Sequence, residues 1–214
     1  GVKFDAHYNL TTVDPPELVY FVRTFPEVIV NKPEMTMWKL LVKKRMPPTR
    51  RIRYCCEVLK EGGGNDRMVM TGVRWAESQQ RAKRRMTEAC FKHSRKFYLH
   101  PIIDWSDADV WDYIKTRNLP YCKLYDEGFT RLGCIMCPMQ GVKGVLRDAE
   151  RWPKYKDAYL RAFQRCVDKR IKDGLKTTWT TGQEMYDWWV KGPVKKQIAS
   201  QDTDTRTLFE EPVC

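Results

Sequence analysis

Four of the eight cysteines in this 214-residue sequence are clustered in two short stretches, "RYCCEVLK" and "RLGCIMCPMQ". Cys55 and Cys56 are adjacent, whereas Cys134 and Cys137 form a Cys-x-x-Cys. A Cys-x-x-Cys can offer two thiolates from a single turn, and metal or cluster sites built on it draw a second pair from elsewhere. Adjacent cysteines suit tetrahedral zinc poorly, because zinc-binding pairs are typically separated by two to four residues. An iron-sulfur cubane bonds one thiolate at each iron and tolerates the closer spacing. On the residues alone, zinc, a redox-active dithiol at Cys134 and Cys137, and thiols that never meet all stay open.

Composition narrows the setting. With 42% hydrophobic and 12% aromatic residues the chain can bury a core, so wholesale disorder is excluded. No apolar run approaches the roughly 20 residues of a membrane span, and nothing at the start reads as a secretion signal. A cytoplasmic protein is expected, and in that reducing setting a disulfide framework is not. The 39 basic residues against 27 acidic give a formal charge of +12. Such a balance favours anionic partners: nucleotides, sulfated or phosphorylated metabolites, or nucleic acid.

The elements that must position the cysteines are legible in part. "KFDAHYNLTTVD" reads as extended, and "DPPELVYFVRTF" as a helix with Asp14 as its cap and Pro15 in first position. "MTMWKLLVKKRM" reads as a second helix stopped by Pro47 and Pro48. Cys55 and Cys56 fall in the opening turns of a third helix that ends before the glycines at 62–64. "RMVMTGV" and "KFYLHPII" read as buried parallel strands, separated by the basic segment "RWAESQQRAKRR". In "DWSDADVWDYIKTRNLP", Ser106 and Asp109 predict a capping box. Pro153 opens a long helix in which Tyr155, Tyr159, Phe163, Cys166, Val167 and Ile171 share a face, which makes Cys166 a core thiol rather than a ligand. "GQEMYDWWVKG" predicts one further helix. Alternating strand and helix predicts an α/β layer with parallel strands over 1–140, followed by a helical extension over 141–192 and a polar tail over 193–214.

Several of these stretches resemble one family. A Cys-Cys pair with a Cys-x-x-Cys beginning 78 positions after Cys56 resembles the [4Fe-4S] signature of the adenosine phosphosulfate reductases. "TGVRWAESQQR" is similar to that group's Gly-(Leu/Val)-Arg-x-x-x-Ser-x-x-Arg loop. "HPIIDWSDADVWDYIKTRNLPYCKLYDEGFTRLGC" is similar to its Asp-Trp-(Ser/Thr)-x-x-Asp-Val-Trp helix and the run that leads into the cluster. The resemblance covers roughly residues 10–140, and it is to the phosphoadenosine phosphosulfate (PAPS) reductase family, of the iron-sulfur-cluster-bearing kind.

The resemblance implies a Rossmann-like parallel sheet with helices on both faces, of the adenine nucleotide alpha-hydrolase type. The family's Ser-Gly-Gly-Lys-Asp-Ser phosphate loop is absent from this sequence, so an N-terminal strand and phosphate loop are expected to be missing. Implied metal ligands are Cys55, Cys56, Cys134 and Cys137, and the implied cofactor is a [4Fe-4S] cluster, with zinc as the alternative. Arg74, Ser78 and Arg81 match the family's loop and are expected to bind the anionic end of an adenine nucleotide or sulfonucleotide, because the guanidinium fork suits sulfate and phosphate. The family's Thr-Arg-Pro after the second cysteine is replaced by Pro138 and Met139, and Arg131 is expected to supply the missing charge. In the reductases a cysteine of the C-terminal tail attacks the sulfonucleotide, and a thioredoxin-like reductant then releases sulfite. Cys214 is the cysteine that could do so here, although "EEPVC" differs from the family's Glu-Cys-Gly-(Leu/Ile)-His ending. Two other functions are open: sulfur insertion into nucleic acid by a related enzyme of the superfamily, and a metal-stabilised module that binds nucleic acid without turnover.

Overall fold

A computed structural model describes residues 2–91 and 95–192. Strand β1 (Ala6–Asn9) is joined by helix α1 (Pro16–Arg23) to β2 (Val28–Asn31), and the two strands pair in parallel, Ala6 opposite Val28 and Asn9 opposite Asn31. Helices α2 (Met37–Lys44) and α3 (Tyr54–Leu59) follow. A second sheet has the order β3-β5-β4, from Met68–Met70, Phe97–Leu99 and Thr87–Ala89. In it β3 runs parallel to β5 while β4 runs antiparallel to it. Helices α4 (Asp107–Thr116), α5 (Gly141–Arg151), α6 (Pro153–Lys172) and α7 (Gly182–Lys191) complete the chain. The protein is thus α/β, with parallel strand pairing and helices on both sides.

Local signals explain most helix boundaries. Thr36 accepts a hydrogen bond from the Lys39 N–H at the start of α2, and Ser106 with Asp109 forms the expected reciprocal box on α4. Such caps contribute about 1 kcal/mol each. Two expectations are corrected. Asp14 does not cap α1: Pro15 occupies the cap position, and the Asp14 carboxylate turns back to accept the Thr11 N–H at 2.6 Å, buried in the loop below the helix. Helix α2 stops at Arg45, in left-handed conformation at φ 57°, ahead of the two prolines.

The core is mostly helical. Leu40 and Leu41 of α2, Tyr159, Phe163, Cys166 and Val167 of α6, and Met185, Trp189 and Val190 of α7 belong to one buried cluster with Val13, Leu124, Ile135 and Met136. The 141–192 helices therefore share a core with the segments that precede them. Gly182 shows how closely α7 starts on α6: a Cβ there would stand 2.5 Å from the Gln164 backbone nitrogen and 2.8 Å from the Leu160 carbonyl oxygen. Ile171 departs from its expected face and is 59% exposed, since the last turn of α6 runs past the core. The "RMVM" strand departs too. Met68 and Met70 are more than half exposed, because successive strand residues point to opposite faces and this face of β3 has nothing over it among the described residues.

Candidate functional site

The Cys-x-x-Cys is held by its own loop and by what packs beneath it. Cys134 and Cys137 are linked by a turn in which the Cys137 N–H donates to the Cys134 carbonyl, and Met136 sits between them at φ 58°. A left-handed conformation costs a non-glycine residue roughly 1–2 kcal/mol. Buried hydrogen bonds hold it in place. The Met136 N–H donates to the Asp148 carboxylate at 2.8 Å, the Gln140 amide donates to the same carboxylate at 2.8 Å and to the Cys134 carbonyl at 3.2 Å, and Arg147 reaches its other oxygen at 3.3 Å. On the opposite side the Ile135 N–H donates to the Val13 carbonyl at 2.7 Å, and the Tyr159 hydroxyl donates to the Ile135 carbonyl at 3.3 Å. Asp148 lies on α5 and Tyr159 on α6, so the helical half of the protein builds the cysteine loop.

Cys55 and Cys56 occupy the first turn of α3, whose approach is fixed by the Tyr54 hydroxyl donating to the Met46 carbonyl at 2.5 Å. Consecutive helical residues point about 100° apart. Both thiols can therefore face one space without pointing at one atom. They do face one space: Cys55, Cys56, Cys134 and Cys137 all line a single cavity of about 380 Å³. Arg53, Lys60, Arg81, Arg131 and Arg147 line it as well, and among the described residues no carboxylate does.

Electrostatics in the cavity divide the thiols, lowering Cys56 and raising Cys55 and Cys137. The Cys56 thiol is pulled below its usual range, first by a hydrogen bond from the Cys55 thiol and then by Arg53, whose guanidinium donates to Cys56 Sγ at 3.2 Å. Cys55 is pushed up as the donor of that pair, then by burial. Cys137 is raised by burial and by the neighbouring Cys134 and Cys56. Against the cost of desolvation, Lys60 is held above the ordinary lysine range by Cys134, to which its ammonium donates, and by Asp14. Arg81 is lowered by desolvation and by the crowd of like charges at Arg131, Arg53, Arg84 and Arg74. Such crowding leaves the site short of negative charge.

A cluster with four thiolate ligands would supply that charge. The donors are of the right kind and number, and they share one cavity. Among the described residues no three His, Cys, Asp or Glu side chains are grouped so as to clasp a single ion.

The other expected site residues separate. Arg81 and Arg131 line the cavity, Arg81 also pairing with Glu77. Arg74 does not line it: its guanidinium donates to Asp107 Oδ1 at 2.6 Å and to the Trp105 carbonyl at 3.3 Å, tying the loop to the start of α4. Ser78 is exposed and its hydroxyl accepts the Arg81 N–H at 3.3 Å. Cys214 lies outside the described residues. Residues that sequence reasoning did not reach include Lys60, Gln140, Arg147 and Asp148. Lys60 carried a signal, one helical turn after Cys56, whereas Gln140 and Asp148 carried none.

Comparison with known proteins identifies a family. The family described as "Phosphoadenosine phosphosulfate reductase domain" matches residues 18–140. An uncharacterized protein of Methanocaldococcus jannaschii is similar at 29% identity over 190 residues, 82% of this chain and 38% of that protein. The adenosine 5'-phosphosulfate reductases of Oceanobacillus iheyensis and of Neisseria meningitidis serogroup B are similar at 31% and 34% identity. Those matches cover 58% and 47% of this chain and 53% and 42% of the reductases. The chain thus spans between a third and about half the length of the first curated relatives it matches. A solved PAPS reductase from Candida auris, in complex with phosphate, has a TM-score of 0.46 and 20% identity, over 60% of this chain and 68% of that one.

Proposed function

Because the chain belongs to the phosphoadenosine phosphosulfate reductase domain family, we propose that its cavity holds a [4Fe-4S] cluster on Cys55, Cys56, Cys134 and Cys137 and takes the sulfate end of an adenine sulfonucleotide. One observation carries this reading: four thiols and five cations line one cavity, and among the described residues no carboxylate joins them. When bound, the cluster supplies a polarising charge beside the substrate. The polypeptide does the rest.

Arg53, Arg81, Arg131 and Arg147 offer planar N–H forks to sulfate and phosphate oxygens. Arg147 rests with its guanidinium 4.0 Å over the Phe129 ring, which fixes the fork's plane. Bond exchange falls to Cys214. Its thiolate attacks the sulfonate sulfur, the bond from sulfur to the bridging oxygen breaks, and AMP leaves with that electron pair, so that an S-sulfocysteine is formed. A dithiol reductant of the thioredoxin kind then attacks Cys214 Sγ and sulfite leaves. The reductant's second thiol resolves the mixed disulfide, so the reductant is oxidised by two electrons and Cys214 returns as a thiol.

The test is anaerobic purification with visible absorption and assays of iron, acid-labile sulfide and zinc, followed by incubation with adenosine phosphosulfate or its 3'-phosphorylated form and intact mass. Four irons per chain, and a sulfonate adduct lost in Cys214→Ser, are expected. A colourless zinc protein would sink the cluster reading, and a loaded protein without adduct would sink the reductase reading.

A further inference from the structure

Two of the segments that line the cavity continue into exposed basic residues. Pro48 and Arg53 both line the cavity, and the residues between them form a tight turn, with the Thr49 N–H donating to the Ile52 carbonyl at 3.0 Å and the Ile52 N–H to the Thr49 hydroxyl at 3.0 Å. Arg50 and Arg51 are the exposed tip of that turn. On another part of the rim, Arg81 enters the cavity from a short 3-10 turn (Arg81–Lys83) that leaves Lys83, Arg84 and Arg85 exposed. Pro48, Arg53, Arg81 and Arg131 line the same cavity, so these segments converge on it. Arg84 is paired with Glu88. Arg50, Arg51, Lys83 and Arg85 form no ion pair among the described residues.

An aromatic platform lies against this rim. Trp75 is 44% exposed, and its indole N–H donates to the Arg84 carbonyl at 2.8 Å, which sets the ring beside the basic turn. Forks of arginine match phosphodiester oxygens, and an open indole face can stack a base. We propose that the rim formed by Arg50, Arg51, Lys83 and Arg85 around Trp75 is a docking surface for single-stranded nucleic acid, whose backbone crosses the cavity mouth. An acidic protein would use the same charges but has no need of the exposed ring.

The proposal rests on the polypeptide and does not depend on the reductase reading. Its test is fluorescence anisotropy of a labelled single-stranded oligonucleotide of about 20 nucleotides, titrated with the full chain at several salt concentrations. Affinity should fall steeply with salt, with a log–log slope of about −0.7 per phosphate contacted. The Arg50→Ala, Arg51→Ala, Lys83→Ala, Arg85→Ala variant should bind at least ~10-fold more weakly, with a slope shallower by about 0.7 for each contact removed. Its melting temperature and visible spectrum should be unchanged, and Trp75→Ala should weaken binding at least ~5-fold. Salt-insensitive binding, or a fourfold variant that binds as tightly as the parent, overturns the proposal. So does a fourfold variant that keeps oligonucleotide binding but loses cross-linking to a reduced acidic dithiol protein, which would make the rim a protein-docking face.

Discussion

The two halves of the protein are built to different standards. In the strand-bearing part, five strands of three or four residues carry no fully buried side chain, and the 72–85 loop holds itself by two short 3-10 turns and exposed ion pairs. In the helical part, α2, α6 and α7 interlock around Tyr159, Phe163 and Trp189, whose rings lie 5.0–5.8 Å apart. Matching to the family stops at residue 140. Yet the cysteine loop hangs from Asp148 and Tyr159, beyond that limit. The difference teaches that the clustered thiols and the supports of their loop come from different parts of the chain: the family-matched segment carries the cysteines and α2, and α5 and α6 beyond it supply Asp148 and Tyr159 beneath the loop.

Breaking the helical frame should cost most. Phe163→Ala removes a fully buried ring and should destabilise by about 3–5 kcal/mol; urea unfolding read by circular dichroism measures it. Asp148→Ala should follow at about 3 kcal/mol, since it strips a buried acceptor from the Met136 and Gln140 donors. It should also speed hydrogen exchange at the Met136 amide, while distant features such as the α4 cap keep their protection.

The loop offers a sharper contrast between two arginines. In the proposed reaction, Arg81→Gln should reduce kcat/KM for a sulfonucleotide by 10- to 100-fold, about 1.4–2.7 kcal/mol, because Arg81 lines the cavity. Arg74→Gln should change it less than ~3-fold and cost under about 1 kcal/mol of stability, because its partners are Asp107 and the Trp105 carbonyl.

His100 gives a pH handle on the strand half. It is 2% exposed, its Nδ1 shares a 2.7 Å hydrogen bond with the Thr71 hydroxyl, and its Nε2 is without a partner among the described residues. Burial, aided by Arg84 and Arg81 against Glu88, holds its pKa below the usual histidine value. The unfolded chain therefore binds this proton at a higher pH than the folded one. Stability is full above the unfolded histidine pKa of about 6.5 and falls as pH drops toward the lowered value, by at most about 1.4 kcal/mol per unit. His100→Gln should flatten that part of the acid limb in a melting-temperature profile. Smallest of all, Met70→Thr on the open face of β3 should stay within about 0.5 kcal/mol of the parent.

Much of the helical architecture was legible locally. The Ser106–Asp109 box, the start of α6 at Pro153 and the placement of Cys55 and Cys56 in α3 followed from short-range chemistry. Strands β2 and β4 were not anticipated, because runs as short as "VIVN" and "TEA" become strands only through pairing with β1 and β5. Helix α5 was missed individually for a related reason: "GVKGVLRDAER" has glycines at its first and fourth residues, and packing on α6 and α7 decides its conformation.

By itself the sequence determined the four clustered thiols, the charge balance and the motifs of the family, since these depend on residue type and spacing. Only the tertiary structure decided which side chains share the cavity. It joined Cys55 and Cys56 to Cys134 and Cys137, kept Arg81 and Arg131 at the mouth, and turned Arg74 away to α4. It also recruited Asp148, whose role arises from burial beneath a left-handed Met136. A side chain's chemistry is written locally, but its desolvation and its partners are set by segments that meet only when the core closes.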